Sequence, residues 1–150
     1  MNCSQIKLQG SDGKTYGLED FKGKRLVLYF YKKDGASGCT AEALEFTRDK
    51  ASFDGMNTLV VGVSRDGVES HQSFVKERDL KLLLLADVKG ELSECFDVLA
   101  EELQNGKLVT VPIRSTFVFN EDGHLIKEWR GVKSDGHADQ VLAYIEEIAR

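Results

Sequence analysis

Cys39 sits in the run Tyr29-Phe30-Tyr31-Lys32-Lys33-Asp34-Gly35-Ala36-Ser37-Gly38-Cys39-Thr40-Ala41-Glu42. An apolar segment gives way to a polar, glycine-containing loop, and the loop runs into a helix with the cysteine in its first turn. Backbone N–H groups and the helix dipole favour negative charge there, and the thiolate is the nucleophilic form of cysteine. The neighbours Gly35, Ser37, Gly38 and Thr40 are small or polar, unlike the setting of a cysteine used for packing. The turn also lies at the carboxyl end of a strand, where α/β proteins place their ligands. Thiolate formation alone makes a modest nucleophile, because nucleophilicity falls with basicity. A fast reaction needs groups that stabilise charge on the leaving atom. Arg114, at the mouth of the apolar segment 115–119, is a cation suited to that task, although its position equally suits a solvated arginine at a strand end.

Stepping outward from Cys39, hydrophobic pattern marks the elements that must hold it. Residues 26–30 and 58–64 are continuous apolar runs, as expected of strands buried on both faces, and 81–86 reads as a third. Helical spacing marks 41–53 and 67–79, and 91–96 reads as a short helical turn. Residues 115–119 and 124–129 form a hairpin around Asn120-Glu121-Asp122-Gly123, and Ile6–Tyr16 holds another with Asp12-Gly13 at its turn. Ala138, Val141, Leu142, Ile145 and Ile148 give an amphipathic closing helix. This order predicts an α/β protein of thioredoxin-like layout, a central mixed β-sheet flanked by helices with an N-terminal hairpin extension. No repeat, low-complexity tract or long linker interrupts it, so residues 1–150 read as a single domain.

Composition narrows the partners. A net charge of −5, with no basic cluster beyond Lys22-Gly23-Lys24-Arg25, argues against nucleic acid. No apolar run is long enough to span a membrane, and the first residues lack the apolar stretch of a secretory signal, so the expected setting is cytoplasmic. Three cysteines without a paired framework predict thiols kept for chemistry or packing. Glu42 stands where a Cys-x-x-Cys motif would need its second cysteine, which disfavours disulfide reductase chemistry. His71, His124 and His137 are dispersed, and no cysteine pair has ligand spacing, so neither a metal nor a cofactor is expected. Gly13-Lys14-Thr15 lacks the upstream glycine and the strand-to-helix setting of a phosphate loop.

The pattern Tyr-Phe-Tyr-x-Lys-Asp-x-x-x-Gly-Cys-Thr-x-Glu-x-x-x-Phe at 29–46 resembles peroxiredoxins of the peroxiredoxin Q, or bacterioferritin-comigratory, subfamily. So do Val61-Gly62-Val63-Ser64-Arg65-Asp66, Ser70-His71, Phe96-Asp97-Val98, Arg114-Ser115-Thr116-Phe117, Trp129-Arg130-x-Val132-Lys133 and Gly136-His137-Ala138-Asp139, collinear from about Leu8 to the C-terminus. The resemblance implies a thiol-dependent peroxidase acting on hydrogen peroxide and organic hydroperoxides. It makes Cys39 the peroxidatic cysteine, Arg114 the active-site arginine and Glu42 the acid that orients it. Two positions depart from the family's Pro-x-x-x-Thr-x-x-Cys pattern: Lys32 replaces the proline and Ala36 the threonine. The usual resolving positions carry Leu44 and Val75, which leaves Cys95 as the candidate resolving thiol and otherwise implies a one-cysteine mode with a thioredoxin-type or small-thiol reductant. A monomer or weak dimer is expected. The rival reading is a catalytically impaired, redox-sensing or binding module on the same fold.

Overall fold

β3 (Arg25–Phe30) carries apolar side chains on both faces, and the architecture is built around it. Val27 and Tyr29, with Tyr31 just beyond the strand, point into one core cluster, while Leu26, Leu28 and Phe30 point into another. A strand with two apolar faces must be covered on both, which forces a layered α/β arrangement. The computed structural model describes residues 2–150. It contains a seven-stranded sheet in the order β2-β1-β5-β4-β3-β8-β9. Its members are β1 (Leu8–Gly10), β2 (Thr15–Tyr16), β3, β4 (Thr58–Ser64), β5 (Leu83–Ala86), β8 (Ser115–Phe119) and β9 (Leu125–Trp129). β3, β4 and β5 run parallel and the remaining pairings are antiparallel, so the sheet is mixed as expected.

The helices largely follow the expected positions. α3 (Val68–Arg78) ends at Asp79 in the left-handed region, a conformation aspartate tolerates. α4 (Glu91–Cys95) and the closing α5 (His137–Ile148) form where the spacing predicts them. The single helix expected over 41–53 is two: α1 (Ser37–Arg48) and α2 (Lys50–Gly55), divided at Asp49. Asp49 departs from helical geometry while the Arg48 guanidinium donates to both its carboxylate oxygens, a local bonding habit that weakens aspartate as a helix-interior residue. The earlier start matters more, because it makes Cys39 the third residue of α1.

One element was not anticipated. β6 (Leu99–Gln104) and β7 (Lys107–Pro112) form a separate two-stranded arm. Its turn is Asn105-Gly106, both at positive φ, the conformation that Asn-Gly hairpin turns adopt.

Candidate active site

The chain leaves β3 at Tyr31, whose N–H still bonds the Val63 carbonyl, and crosses five residues before α1 begins. Gly35 takes φ +83°, which permits the loop's reversal at no steric cost. The N-cap of α1 is Ala36, which has no side chain to cap the helix. Cys39 is 2% exposed and packs into the cluster containing Tyr29, Tyr31 and Ala138. Arg114 immediately precedes β8, and the pairing of Ser115 with Phe30 sets it beside the end of β3. Its Nη2 donates to Cys39 Sγ at 3.4 Å and its Nη1 to Glu42 Oε1 at 2.7 Å. The Arg114 side chain is 17% exposed and that of Glu42 fully enclosed. The three residues named from the resemblance therefore meet in one bonded chain: sulfur, guanidinium, carboxylate.

The electrostatics of this chain are uneven. Burial pushes the Glu42 carboxyl up to about 7, and the Arg114 charge and hydrogen bond only partly oppose it. Glu42 Oε2 and the nearby Tyr29 hydroxyl are enclosed without a hydrogen-bond partner among the described residues, consistent with that cost. Burial works against the Arg114 charge too, but Glu42 and Cys39 outweigh it and hold the guanidinium charged. Arg114 thus sets positive charge 3.4 Å from the sulfur, an arrangement able to stabilise a thiolate and negative charge on an atom beside it.

A polar network fixes the loop that carries Cys39. His71, wholly buried in α3, donates from Nε2 to the Leu85 carbonyl at 2.9 Å and sets Nδ1 2.7 Å from Asp34 Oδ2. Tyr31 and Ser70 donate to the same carboxylate, and the Asp34 N–H donates to Asp66 at 2.9 Å. Burial works to raise Asp34, yet the bonds from His71, Tyr31 and Ser70 hold it below the ordinary carboxylate range. Asp34, Asp66 and His71 bring their ligand atoms within 4.8 Å of one another, but both ring nitrogens of His71 are engaged by Asp34 and Leu85. His71 thus braces the loop before Cys39, and the one sequence signal for that role is the acid Asp34 within the loop.

Lys32, at the departing position, donates to Glu102 of β6 at 2.7 Å, and Arg65 donates to the Thr110 carbonyl of β7 at 3.2 Å. These contacts hold the β6–β7 arm against the catalytic loop. A cavity of about 330 Å³, lined by Arg114, Lys32, Pro112 and Val132, opens on one side. Another of about 350 Å³, lined by Ala36, Lys33 and Arg65, opens on the other. A further cavity of about 490 Å³ beside Cys3 and Phe96 lies away from this chemistry.

The expectation of three unpaired thiols needs correction. Cys3 and Cys95 are disulfide-bonded, with Cα atoms 5.9 Å apart, because the N-terminal segment packs against the β3 face that Leu28 and Phe30 occupy. Cys39 belongs to the opposite face and is a free thiol. The structure thus brings Cys95 to Cys3 and does not bring it to Cys39. At the usual resolving positions, Leu44 is 41% exposed and Val75 packs against the core.

Similarity to known proteins agrees with this geometry. The AhpC/TSA family model matches residues 2–128. Peroxiredoxin Bcp of Bacillus subtilis is 40% identical over 144 residues, covering 96% of this chain and 92% of the relative. A Xanthomonas campestris bacterioferritin comigratory protein, solved for insight into its alkyl peroxide reduction activity, superposes with a TM-score of 0.92 at 37% identity, covering 99% and 94%. Peroxidoxin BcpB of Mycobacterium tuberculosis superposes at 0.83 with 30% identity, covering 95% and 92%. With its thiol, guanidinium and carboxylate arranged on a thioredoxin fold, the chain belongs to the AhpC/TSA family and is a peroxiredoxin of the Bcp, or peroxiredoxin Q, type.

Proposed function

We propose that this chain reduces hydrogen peroxide and organic hydroperoxides with Cys39 as nucleophile, Arg114 as charge stabiliser and Glu42 as the group that orients Arg114. The observation that carries this reading is the bridging guanidinium, bonded to Cys39 Sγ and Glu42 at once. The thiolate attacks the terminal peroxide oxygen, an S–O bond forms as the O–O bond breaks, and the departing alkoxide takes a proton to leave as alcohol or water. Cys39 is left as a sulfenic acid. A thiol condenses with it to give a mixed disulfide and water, and a second thiol releases Cys39 as the reductant's disulfide forms.

An external reductant, thioredoxin-type or a small thiol, supplies both thiols in this reading. It is supported by Leu44 and Val75 at the usual resolving positions and by the engagement of Cys95 with Cys3 on the other face of the sheet. The chain works as a single-domain monomer or weak dimer in the cytoplasm; among the described residues no helix is long and apolar enough to cross a membrane. The test is stopped-flow mixing of fully reduced protein with hydrogen peroxide, followed by Trp129 fluorescence. A fast phase lost in Cys39→Ser supports the peroxidase. A rate no better than that of a free thiol would instead favour the sensing module.

A further inference from the structure

The transition state needs hydrogen-bond donors on the departing oxygen. The turn that carries Cys39 offers few side-chain hydroxyls for this. Ala36 has none, Ser37 faces solvent, and the Thr40 hydroxyl is enclosed in protein. A hydroxyl from a distant segment lies alongside instead. An ideal Cβ on Gly38, the residue before Cys39, would meet Ser134 Oγ at 3.1 Å and Arg114 Nη2 at 3.2 Å. The serine hydroxyl and the guanidinium nitrogen that touches the sulfur therefore border the same point. Ser134 is half-buried, and its hydroxyl makes no hydrogen bond to another described residue.

Its position is held from both sides. The Val132 N–H bonds the Arg114 carbonyl at 3.0 Å, which ties the segment to the active-site arginine. On the other side, the His137 N–H bonds the Ser134 carbonyl where α5 begins, and His137 itself is buried against Thr116. A hydroxyl fixed at both flanks and left unengaged at the rim of a reacting centre is suited to donate to charge that develops only during reaction.

We propose that Ser134 is a further catalytic residue, its Oγ–H donating a hydrogen bond to the departing peroxide oxygen beside Arg114. The assignment rests on the peroxidase reading and adds a donor from outside the turn that carries Cys39. Ser134 transfers no electrons, and the S–O bond forms and the O–O bond breaks as described above.

The test compares two rates for the reduced protein: Cys39 oxidation by hydrogen peroxide and Cys39 alkylation by iodoacetamide. In Ser134→Ala the peroxide rate constant should fall by about 100-fold or more, as when one donor is lost from a site of developing charge. The alkylation rate should stay within twofold, because alkylation expels no oxygen. Ser134→Thr should keep most of the peroxide rate. Adding Ala36→Thr to Ser134→Ala should restore a hydroxyl from the helix N-cap and recover at least part of the loss. An unchanged peroxide rate in Ser134→Ala would overturn the proposal, and so would an equal fall in both rates, since the serine would then only shape the thiol. A parent protein that itself reacts no faster than a free thiol would sink the peroxidase reading and is seen before any variant is made.

Discussion

The two sulfur sites lie on opposite faces of one sheet and are built on different principles. At Cys39 the sulfur occupies the first turn of α1, 3.4 Å from a guanidinium that is itself held by a buried acid. At Cys3–Cys95 two sulfurs meet because two chain segments converge on the same apolar face, 92 residues apart in sequence. Under the proposed function the first site reacts and the second stays joined. Burial alone does not separate them, since Cys39 is almost inaccessible while both paired cysteines are partly exposed. The charged groups around the sulfur make the difference.

The two sites part most sharply at their sulfurs. Cys39→Ser should abolish peroxide consumption, whereas Cys3→Ser and Cys95→Ser should leave the first oxidation step within twofold; loss of that step in either of the latter would join the two faces functionally. Next in size, Arg114→Ala should slow Cys39 oxidation by about 10² to 10³-fold, read from the same stopped-flow phase. A tenfold loss or less would mean that backbone N–H groups carry most of the stabilisation.

On the other face, the disulfide closes a loop long enough to contribute about 4.5 kcal/mol by restricting the unfolded chain. Reductant should therefore lower the melting temperature of the parent by roughly 10 °C and leave Cys3→Ser unmoved. An equal response in both would remove the disulfide's structural role.

The smallest effect sharpens the first site. Because burial raises Glu42 from 4.5 to about 7, the folded state holds its proton more tightly than the unfolded chain. The associated stability is fully present below about pH 4.5 and is lost as pH rises through about 7, amounting at most to about 3 kcal/mol. Glu42→Gln should flatten that part of the profile in denaturant titrations at pH 4.5, 6 and 7.5. Identical profiles would show that Arg114 keeps the carboxylate ionised.

The reacting site was more legible in the sequence than the inert one. Continuous apolar runs at 26–30 and 58–64 announce buried parallel strands, and the small, polar turn before Cys39 announces a helix start. Spaced motifs then link Cys39, Glu42 and Arg114 across 75 residues. The Cys3–Cys95 pair leaves no local trace, because neither cysteine's neighbours encode the approach of the other. The same holds for the bond from Lys32 to Glu102 and for Ser134, whose relevance depends on the return of the chain before α5. The β6–β7 arm is a different case. Asn105-Gly106, between segments that pair Leu103 with Leu108, is a local hairpin signal present in the sequence itself.

Gly38 limits which side chains position 38 can carry. A methyl group there would press on Ser134 and Arg114 side chains by a few tenths of an ångström and would touch no backbone so closely. Gly38 is the second residue of α1 and its backbone is not in the left-handed region, so conformation alone does not require glycine there. Alanine at position 38 would therefore be accepted by the backbone and resisted by the side chains beside the sulfur. Selection that keeps glycine there would be selection on rate.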